Sequence, residues 1–219
     1  MAKRNTVLKI SGLTKSFGPV KIVDDFSLEV RAGEAIALTG RNGAGKSTIL
    51  RCIVGADRPT DGTIEVNGIP MSETNADIRR TLATVIDDMD FFPDLSVVEH
   101  LDLLARAHGI PDPDDAVDEV LNEVQLVPQA GQLPGTLSSG QRRRLALATA
   151  FVRPRTLLVL DEPEQRLDVE GVEWLAQRLI AERERGLAII MATHEPILVE
   201  RVATRIVRVG EPEVEVASA

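Results

Sequence analysis

The chain has 219 residues, which is long enough for one sizeable α/β core. Its 25 basic and 34 acidic side chains give a formal net charge of −9, which argues against binding nucleic acid or anionic lipid through bulk charge. The first five residues precede no apolar h-region, and no later apolar run approaches the length that crosses a bilayer, so neither a signal peptide nor a transmembrane segment is expected.

The N-terminal part of the chain is predicted to be rich in strands. Residues 7–10, 26–30 and 63–66 are short apolar or alternating runs bounded by Gly, Asp and Asn. Phe17 is predicted to lie in a turn between two of these strands. An aromatic ring on a turn could stack on a flat base or could be a core side chain, and the residues around Phe17 alone favour the core.

A glycine-rich loop follows the apolar run 34–39 and precedes the helix-like run 49–54. Its glycines let successive backbone N–H groups point inward around an anion. In this pattern Lys46 reaches the β- and γ-phosphates of a nucleotide, and the Ser47 hydroxyl binds Mg²⁺ beside the positive end of the next helix. A plain strand-to-helix turn is the alternative, and the full spacing argues against it. The loop consists of Gly40, Arg41, Asn42, Gly43, Ala44, Gly45, Lys46, Ser47 and Thr48.

The middle of the chain is predicted to be helical. Residues 96–99 have capping-box spacing and begin a helix to about residue 107, and a second helix begins at residues 112–113. Residues 128–136 are predicted to be a linker before a third helix, which is introduced by residues 137–141 and ends near residue 151. Residues 142–144 are three arginines pointing in different directions, which favours a solvated helix face over a nucleic-acid patch.

The C-terminal part alternates buried strands with a helix. Residues 156–160 and 187–192 are continuous apolar runs, as expected of parallel strands covered on both faces, and Asp168 can cap the helix between them. Because ligands bind at the carboxyl ends of parallel strands, Asp161, Glu162 and His194 are expected near the glycine-rich loop. Asp161 can hold Mg²⁺ through water, Glu162 can orient and deprotonate the attacking water, and His194 can bind the γ-phosphate or fix Glu162. A helix cap or solvated turn is the alternative for the acidic pair, and a structural histidine is the alternative for His194.

These pieces together resemble the ATP-binding cassette (ABC) ATPases, over residues 7–209. The discriminating piece is the segment 137–141, which looks like the signature motif of that family. The resemblance implies a P-loop NTPase core of α/β class with a mostly parallel sheet, an N-terminal antiparallel β subdomain and an inserted helical subdomain. It implies that Phe17 stacks on adenine, that Asp161 and Glu162 are the Walker B pair, that His194 is the switch histidine and that Asp168 ends the D-loop.

The family also implies a dimer in which two cassettes pair head to tail. Ser138 and Gly140, at a helix N-terminus, would bind the γ-phosphate held by the partner subunit. The whole set of signature residues expected to contact nucleotide is Ser138, Ser139, Gly140 and Gln141.

Three departures from the family pattern are visible in the sequence. Ser139 stands where the signature usually has glycine, a small change that is expected to be tolerated because Ser138 and Gly140 remain. Residues 164–166 replace the usual small residues before Asp168, so communication across the dimer is expected to differ. Asp87 stands where the Q-loop glutamine is usual, with Asp88 one position away. A carboxylate there is a stronger metal ligand but lacks the amide donor, so a changed Mg²⁺ dependence or slower turnover is expected.

The sequence therefore predicts one nucleotide-binding domain over residues 1–219 that hydrolyses ATP with Mg²⁺. Residues 1–86 and 150–210 would form the β and RecA-like core, residues 87–149 the Q-loop, helical subdomain and signature, and residues 211–219 a loosely ordered acidic tail. The resemblance implies a separately encoded membrane permease as partner, with the chain held peripherally on the cytoplasmic face of the plasma membrane. Phe91 and Phe92 could line the groove for that permease or could be core. No nucleic-acid partner is expected.

Other functions remain open on the sequence. A soluble ABC-class ATPase acting on ribosomes or DNA usually has two cassettes or a long coiled-coil insertion, and neither is evident. A low-turnover nucleotide switch is suggested by Asp87 and residues 164–166, while Lys46, Glu162 and His194 weigh against it. The absence of a C-terminal regulatory extension and the Q-loop departure favour an export-type transporter.

Overall fold

The computed structural model describes residues 5–86 and 90–210. Within these ranges strands and helices alternate along most of the chain, as the sequence predicts. In chain order the elements are β1 (Thr6–Phe17), β2 (Val20–Arg31), β3 (Ala35–Thr39), α1 (Lys46–Ile53), β4 (Asp61–Val66), β5 (Ile69–Pro70), α2 (Ala76–Thr81), β6 (Leu82–Val85), α3 (Val97–Ala107), α4 (Pro113–Glu123), α5 (Ser139–Phe151), β7 (Leu157–Asp161), α6 (Val169–Glu184), β8 (Ala188–Ala192) and β9 (Arg205–Arg208).

The predicted strands of the N-terminal part form a separate antiparallel sheet in the order β2-β1-β4-β5. The two long strands β1 and β2 are joined by a tight turn at Gly18, whose φ of +58° suits glycine. Phe17 pairs with Val20 as the last residue of β1. The prediction that Phe17 lies in the turn was therefore wrong by one residue, because the strand pairing continues up to the turn itself.

A five-stranded parallel sheet, in the order β6-β7-β8-β3-β9, forms the centre of the molecule. Side chains that alternate along a strand point to opposite faces, and both faces of β3, β7 and β8 are covered. Ala35 and Ala37 pack in the cluster that includes α5 and α6, whereas Ile36 and Leu38 pack in the cluster that includes α1 and the antiparallel sheet. Burial on both sides explains why these strands are continuous apolar runs.

The helix starts follow the predicted capping chemistry. Ser96 and Ser138 each make a full capping box, with Glu99 and Gln141 as the reciprocal partners. Asp168 caps α6 by accepting a hydrogen bond from the Gly171 N–H at 2.9 Å. The single cysteine, Cys52, is fully buried in α1, where it packs as a small hydrophobe.

The fold confirms the expected class, an α/β protein with a parallel sheet and a separate antiparallel sheet. Sequence reasoning did not identify α2, the edge strand β9 or the π-helical turn Leu198–Val202. In the part of the chain that the structure describes, no helix combines the length and apolar character needed to span a bilayer.

Candidate nucleotide site

The carboxyl ends of three neighbouring strands meet at one edge of the parallel sheet. Leu38 of β3 lies opposite Ala192 of β8, and Ala192 lies opposite Asp161 of β7. The pairing continues one step further, since the Glu162 N–H donates to the Ala192 carbonyl at 2.8 Å. With adjacent strands about 4.8 Å apart, the ends of β3 and β7 are separated by roughly 10 Å. The glycine-rich loop (residues 40–48), the turn after β8 that contains His194 (the histidine turn) and the acidic pair (Asp161 and Glu162) are thus brought together as predicted.

The glycine-rich loop connects the end of β3 to the start of α1. At Gly40 a Cβ atom would lie 2.5 Å from the Val209 carbonyl oxygen, and φ is +136°, so this position needs glycine. Lys46 is buried, and its ammonium group donates to the carbonyls of Gly40 at 2.8 Å and Arg41 at 3.2 Å. The positively charged ammonium group of Lys46 therefore lies inside the loop, and neither of these two hydrogen bonds is to a carboxylate.

The N-terminus of α1 is available to an anion. The N-cap residue is Gly45 in the left-handed conformation, so no side chain caps the helix, and its first turn contains no acidic residue. In contrast, α2, α3, α5 and α6 begin with side-chain caps. The first N–H groups of a helix have no intrahelical acceptor, and together with Lys46 they favour a phosphate group at this end.

The acidic pair occupies the turn after β7. Glu162 has a φ of +42°, a conformation that few residues other than glycine adopt. Its carboxylate is half-buried and accepts a hydrogen bond from the side-chain amide of Gln165. Gln165, one of the residues 164–166 that depart from the family pattern, thus contacts the expected catalytic carboxylate within the same chain.

The histidine turn follows β8. His194 is exposed, whereas Thr193 before it is fully buried. The Thr193 hydroxyl donates to the Glu164 carboxylate at 2.7 Å and accepts from the Glu195 N–H at 3.0 Å. Burial raises the pKa of the Glu164 carboxyl, and hydrogen bonds from its own N–H, from Thr193 and from the His194 N–H oppose that shift. Glu164 therefore joins the acidic turn to the histidine turn.

The signature segment lies at the start of α5. Ser138 and Ser139 are exposed, and Ser138 accepts a hydrogen bond from the Gln141 N–H at 3.2 Å. The Gln141 carbonyl oxygen accepts from the Ser138 N–H at 2.8 Å, so this side chain is engaged in its own helix cap. A Cβ at Gly140 would lie 2.9 Å from the Arg166 carbonyl, which means that glycine here allows α5 to approach the segment after the acidic pair.

The prediction of a solvated face for residues 142–144 was wrong for two of the three arginines. Arg143 is buried and donates to the carbonyls of Asp161 at 2.7 Å and Pro163 at 3.1 Å, and also to that of Glu162. The side chain of Arg144 is 12% exposed and pairs with Asp168 at 3.2 Å. Three consecutive helical positions cover most of the circumference of a helix, and only tertiary packing decides which of them face the protein.

The remaining predicted site residues are placed as follows. Phe17 is 52% exposed, with the Lys15 ammonium 4.8 Å from its ring centroid, so it is not a core side chain. Asp168 is used as a helix cap and an ion-pair partner. Asp87, and with it the prediction about the Q-loop, lies outside the described residues.

The possible metal ligands at the carboxyl edge of the parallel sheet suit a cation that is also bound to a nucleotide better than a metal that is bound by protein side chains alone. Among residues 5–86 and 90–210, His, Cys, Asp and Glu side chains form no group of three or more that could hold a metal. Ser47 is exposed at the first turn of α1, and Asp161 is half-buried at the end of β7. One hydroxyl and one carboxylate fit Mg²⁺ that completes its coordination with water and phosphate oxygens.

The fold and this site define a phosphate-loop nucleotide-binding protein. A family model described as "ABC transporter" matches residues 23–165, and the chain belongs to that family. It is an ATP-binding and ATP-hydrolysing subunit of the ABC transporter class, as the signature segment and the acidic pair predict.

Curated relatives cover most of the chain. The peptide export ATP-binding protein SkfE of Bacillus subtilis is 33% identical over 94% of this chain and 86% of its own length. The bacitracin transport ATP-binding protein BcrA of Bacillus licheniformis is 35% identical over 87% of this chain, and the match spans 62% of BcrA. The spermidine/putrescine import protein PotA of Pseudomonas aeruginosa is 34% identical, with 53% of PotA covered.

Solved structures show the same fold. The ATP-binding subunit of an ABC transporter superposes with a TM-score of 0.87 at 28% identity, covering 93% of this chain and 86% of that one. The ABC cassette MJ0796 has a dimeric structure in a post-hydrolysis state bound to ADP and Pi. It matches with a TM-score of 0.83 at 27% identity, over 94% of this chain and 97% of that one.

Proposed function

We propose that this chain binds MgATP in the loop of residues 40–48 and hydrolyses it with Glu162 as the base that orients and deprotonates the attacking water. The observation that carries this proposal is the alignment of Leu38, Ala192 and Asp161 across three adjacent strands. That alignment supports the proposal, because the turn bearing Glu162 and the glycine-rich loop then follow strands at the same edge of the sheet. Phosphoryl transfer depends chiefly on positioning and electrostatics, and both groups lie on turns anchored to buried strands.

The roles of the individual residues follow from their positions. Lys46 exchanges its two loop carbonyls for the β- and γ-phosphates, since a phosphate oxygen is a stronger acceptor for an ammonium group. Ser47 and Asp161 hold Mg²⁺, which offsets phosphate charge when bound. His194, exposed at the end of β8, reaches the γ-phosphate. Phe17 presents its exposed ring to the adenine base.

A second copy of a cassette is proposed to complete the site. Ser138 and Ser139 are exposed at the N-terminus of α5, where an anion is favoured by the helix dipole. The relative MJ0796 has a dimeric structure. We therefore place the signature segment of one subunit over the phosphates bound by the other, with Gln141 shaping the segment through its capping box rather than contacting phosphate from this position.

The proposed partner in the membrane is a permease encoded separately, with this chain on the inner face of the plasma membrane. Phe92 is 61% exposed and is available to such a partner, whereas Phe91 packs partly against the core. Export is kept as the proposed direction, in line with the relative SkfE, which is named for peptide export; other relatives are named for import, and both kinds match over most of their length. Recovery of the tagged chain with solubilised membranes tests the association with a membrane permease, and recovery in the cytosol alone would contradict it.

ATP hydrolysis by the Glu162→Gln variant tests the catalytic assignment. Removing a general base typically lowers the rate by about 10²- to 10⁴-fold, and ATP binding should remain because Glu162 is not part of the phosphate loop. The matched control is Glu184→Gln at an exposed position of α6. Equal, near-zero rates in the wild type and in Glu162→Gln would instead identify a nucleotide switch with little turnover.

A further inference from the structure

The turn that carries the carboxylate of Glu162 is held by hydrogen bonds from α5. We define the catalytic turn as residues 161–163. The Arg143 guanidinium donates to the backbone carbonyls of all three residues: from Nη2 to Asp161 at 2.7 Å and to Glu162, and from Nε to Pro163 at 3.1 Å. Arg143 is only 8% exposed. A planar guanidinium carries several N–H donors in a fixed geometry, which suits it to hold three successive carbonyls.

The catalytic turn has a backbone conformation that needs support. Glu162 has a φ of +42°, which is unfavourable for a residue with a Cβ and persists only where the surroundings determine it. On one side the Glu162 N–H is bound to the Ala192 carbonyl at 2.8 Å. On the other side the Glu162 carbonyl is bound by Arg143. Both polar groups of this peptide backbone are therefore fixed, one by β8 and one by α5.

The same helix also contacts the end of the segment that follows. Arg144 pairs with Asp168 at 3.2 Å, and Gly140 allows the Arg166 carbonyl to come within 2.9 Å of its Cβ position. Residues 161–168 are thus held at both ends by α5, whose N-cap is Ser138. A displacement at the start of α5 would move the guanidinium that fixes the Glu162 backbone.

We propose that Arg143 is a positioning residue for ATP hydrolysis, acting through Glu162 by holding the catalytic turn in its observed conformation. This inference rests on the proposed function. The contacts concern the turn after β7, whereas Lys46 and the phosphate loop follow β3, so Arg143 is expected to govern turnover and not ATP binding.

The test compares Arg143→Met and Arg143→Lys with the control Arg142→Met. Met fills similar space without donors, Lys keeps a charge and fewer donors, and the Arg142 guanidinium lies 5.9 Å from the Phe91 ring rather than on the catalytic turn. We expect kcat to fall about 10- to 100-fold in Arg143→Met, as a misplacement near 1 Å produces, with KM for ATP within about twofold of wild type. Arg143→Lys should recover part of kcat, and Arg142→Met should match the wild type.

Two further measurements keep the outcomes distinct. If Arg143→Met does not fold, as judged by its thermal unfolding transition, Arg143→Lys decides alone, and a wild-type kcat in it overturns the inference. In a Glu162→Gln background the Arg143→Lys change should no longer alter the residual rate, because Arg143 acts through that carboxylate; the same fold-change as in the wild type overturns the inference.

Failure of the proposed function gives a different result. If Glu162→Gln keeps the wild-type kcat, the catalytic assignment itself is wrong. If Glu162→Gln is inactive while both Arg143 variants keep the wild-type kcat, the assignment of Glu162 stands and only the role of Arg143 is wrong. Equal losses in kcat and in ATP affinity for Arg143→Lys would likewise overturn the inference.

Discussion

Replacing Gly40 by alanine tests the close approach that shapes the phosphate loop. The added methyl would lie 2.5 Å from the Val209 carbonyl oxygen, and real Cβ contacts essentially never fall below 3.0 Å. Either the start of the loop or the chain after β9 must therefore move. The Val209 N–H donates to the Thr39 carbonyl at 2.8 Å, so a shift of this peptide also weakens that hydrogen bond.

The cost can be separated by a matched control. Gly68 has a φ of +75° with nothing within 4 Å of its Cβ position, so Gly68→Ala measures the conformational term alone, about 1–2 kcal/mol, partly offset by about 0.4–1 kcal/mol from the unfolded chain. Gly40→Ala adds overpacking of about 1–3 kcal/mol and a weakened hydrogen bond of about 0.5–1.5 kcal/mol. We expect Gly40→Ala to be less stable than Gly68→Ala by about 1.5–4.5 kcal/mol.

Urea unfolding of the two variants measures this difference, provided that the slopes with denaturant match. In a domain of this size each kcal/mol also lowers Tm by about 2–4 °C. Gly40→Ala should in addition weaken ATP binding, because the displaced residue begins the phosphate loop. Equal midpoints for Gly40→Ala and Gly68→Ala would refute the argument that backbone contact fixes glycine at this position.

Three other predictions concern charged groups. Lys46→Ala should weaken ATP binding at least about 100-fold, since two charged hydrogen bonds to phosphate are lost; titration calorimetry with a nucleotide analogue checks this, and unchanged affinity would contradict the cradle. Burial raises the pKa of Glu164 above 4.5, so between pH 4.5 and the raised pKa the native state binds more protons than the unfolded state. The free energy of unfolding therefore falls as pH rises through that window. Urea titrations should show that the stability of Glu164→Gln relative to wild type grows across the window, whereas that of the control Glu184→Gln should not. The buried Arg155 guanidinium lies 2.7 Å from the Glu182 carboxylate. Glu182→Ala removes this partner and should lower the free energy of unfolding by about 3–5 kcal/mol. A loss below about 1 kcal/mol would show that the pair is solvated.

The sequence alone was sufficient to predict the main strands and the starts of the main helices. Continuous apolar runs predicted the buried strands β3, β7 and β8, because a parallel strand covered on both faces needs apolar side chains in both directions. Capping residues predicted the starts of α3, α5 and α6. The glycine-rich loop could be predicted from spacing alone, because phosphate binding requires particular residue types within a few positions of one another. The acidic pair could be predicted only from its place at the end of a buried strand in a chain that also has this loop.

Tertiary structure decided which long side chains face the protein. Three consecutive arginines look alike in the sequence, yet Arg143 is buried on the catalytic turn while Arg142 lies near Phe91. Nothing local distinguishes them, since the partners of Arg143 lie about 20 positions later in the chain, whereas Phe91 lies 51 positions before Arg142. The contacts of Glu164 with Thr193 and of Gln165 with Glu162 also depend on how turns pack after folding.

The sequence by itself determined the class of the protein, the buried strands β3, β7 and β8, and the residues that are expected to bind phosphate. It did so because backbone periodicity and anion binding are set by neighbouring residues. Only the tertiary structure decided that β8 lies between β3 and β7 in the sheet and that α5 supports the turn bearing Glu162. Strand order and side-chain burial depend on contacts between distant segments, which local patterns do not specify.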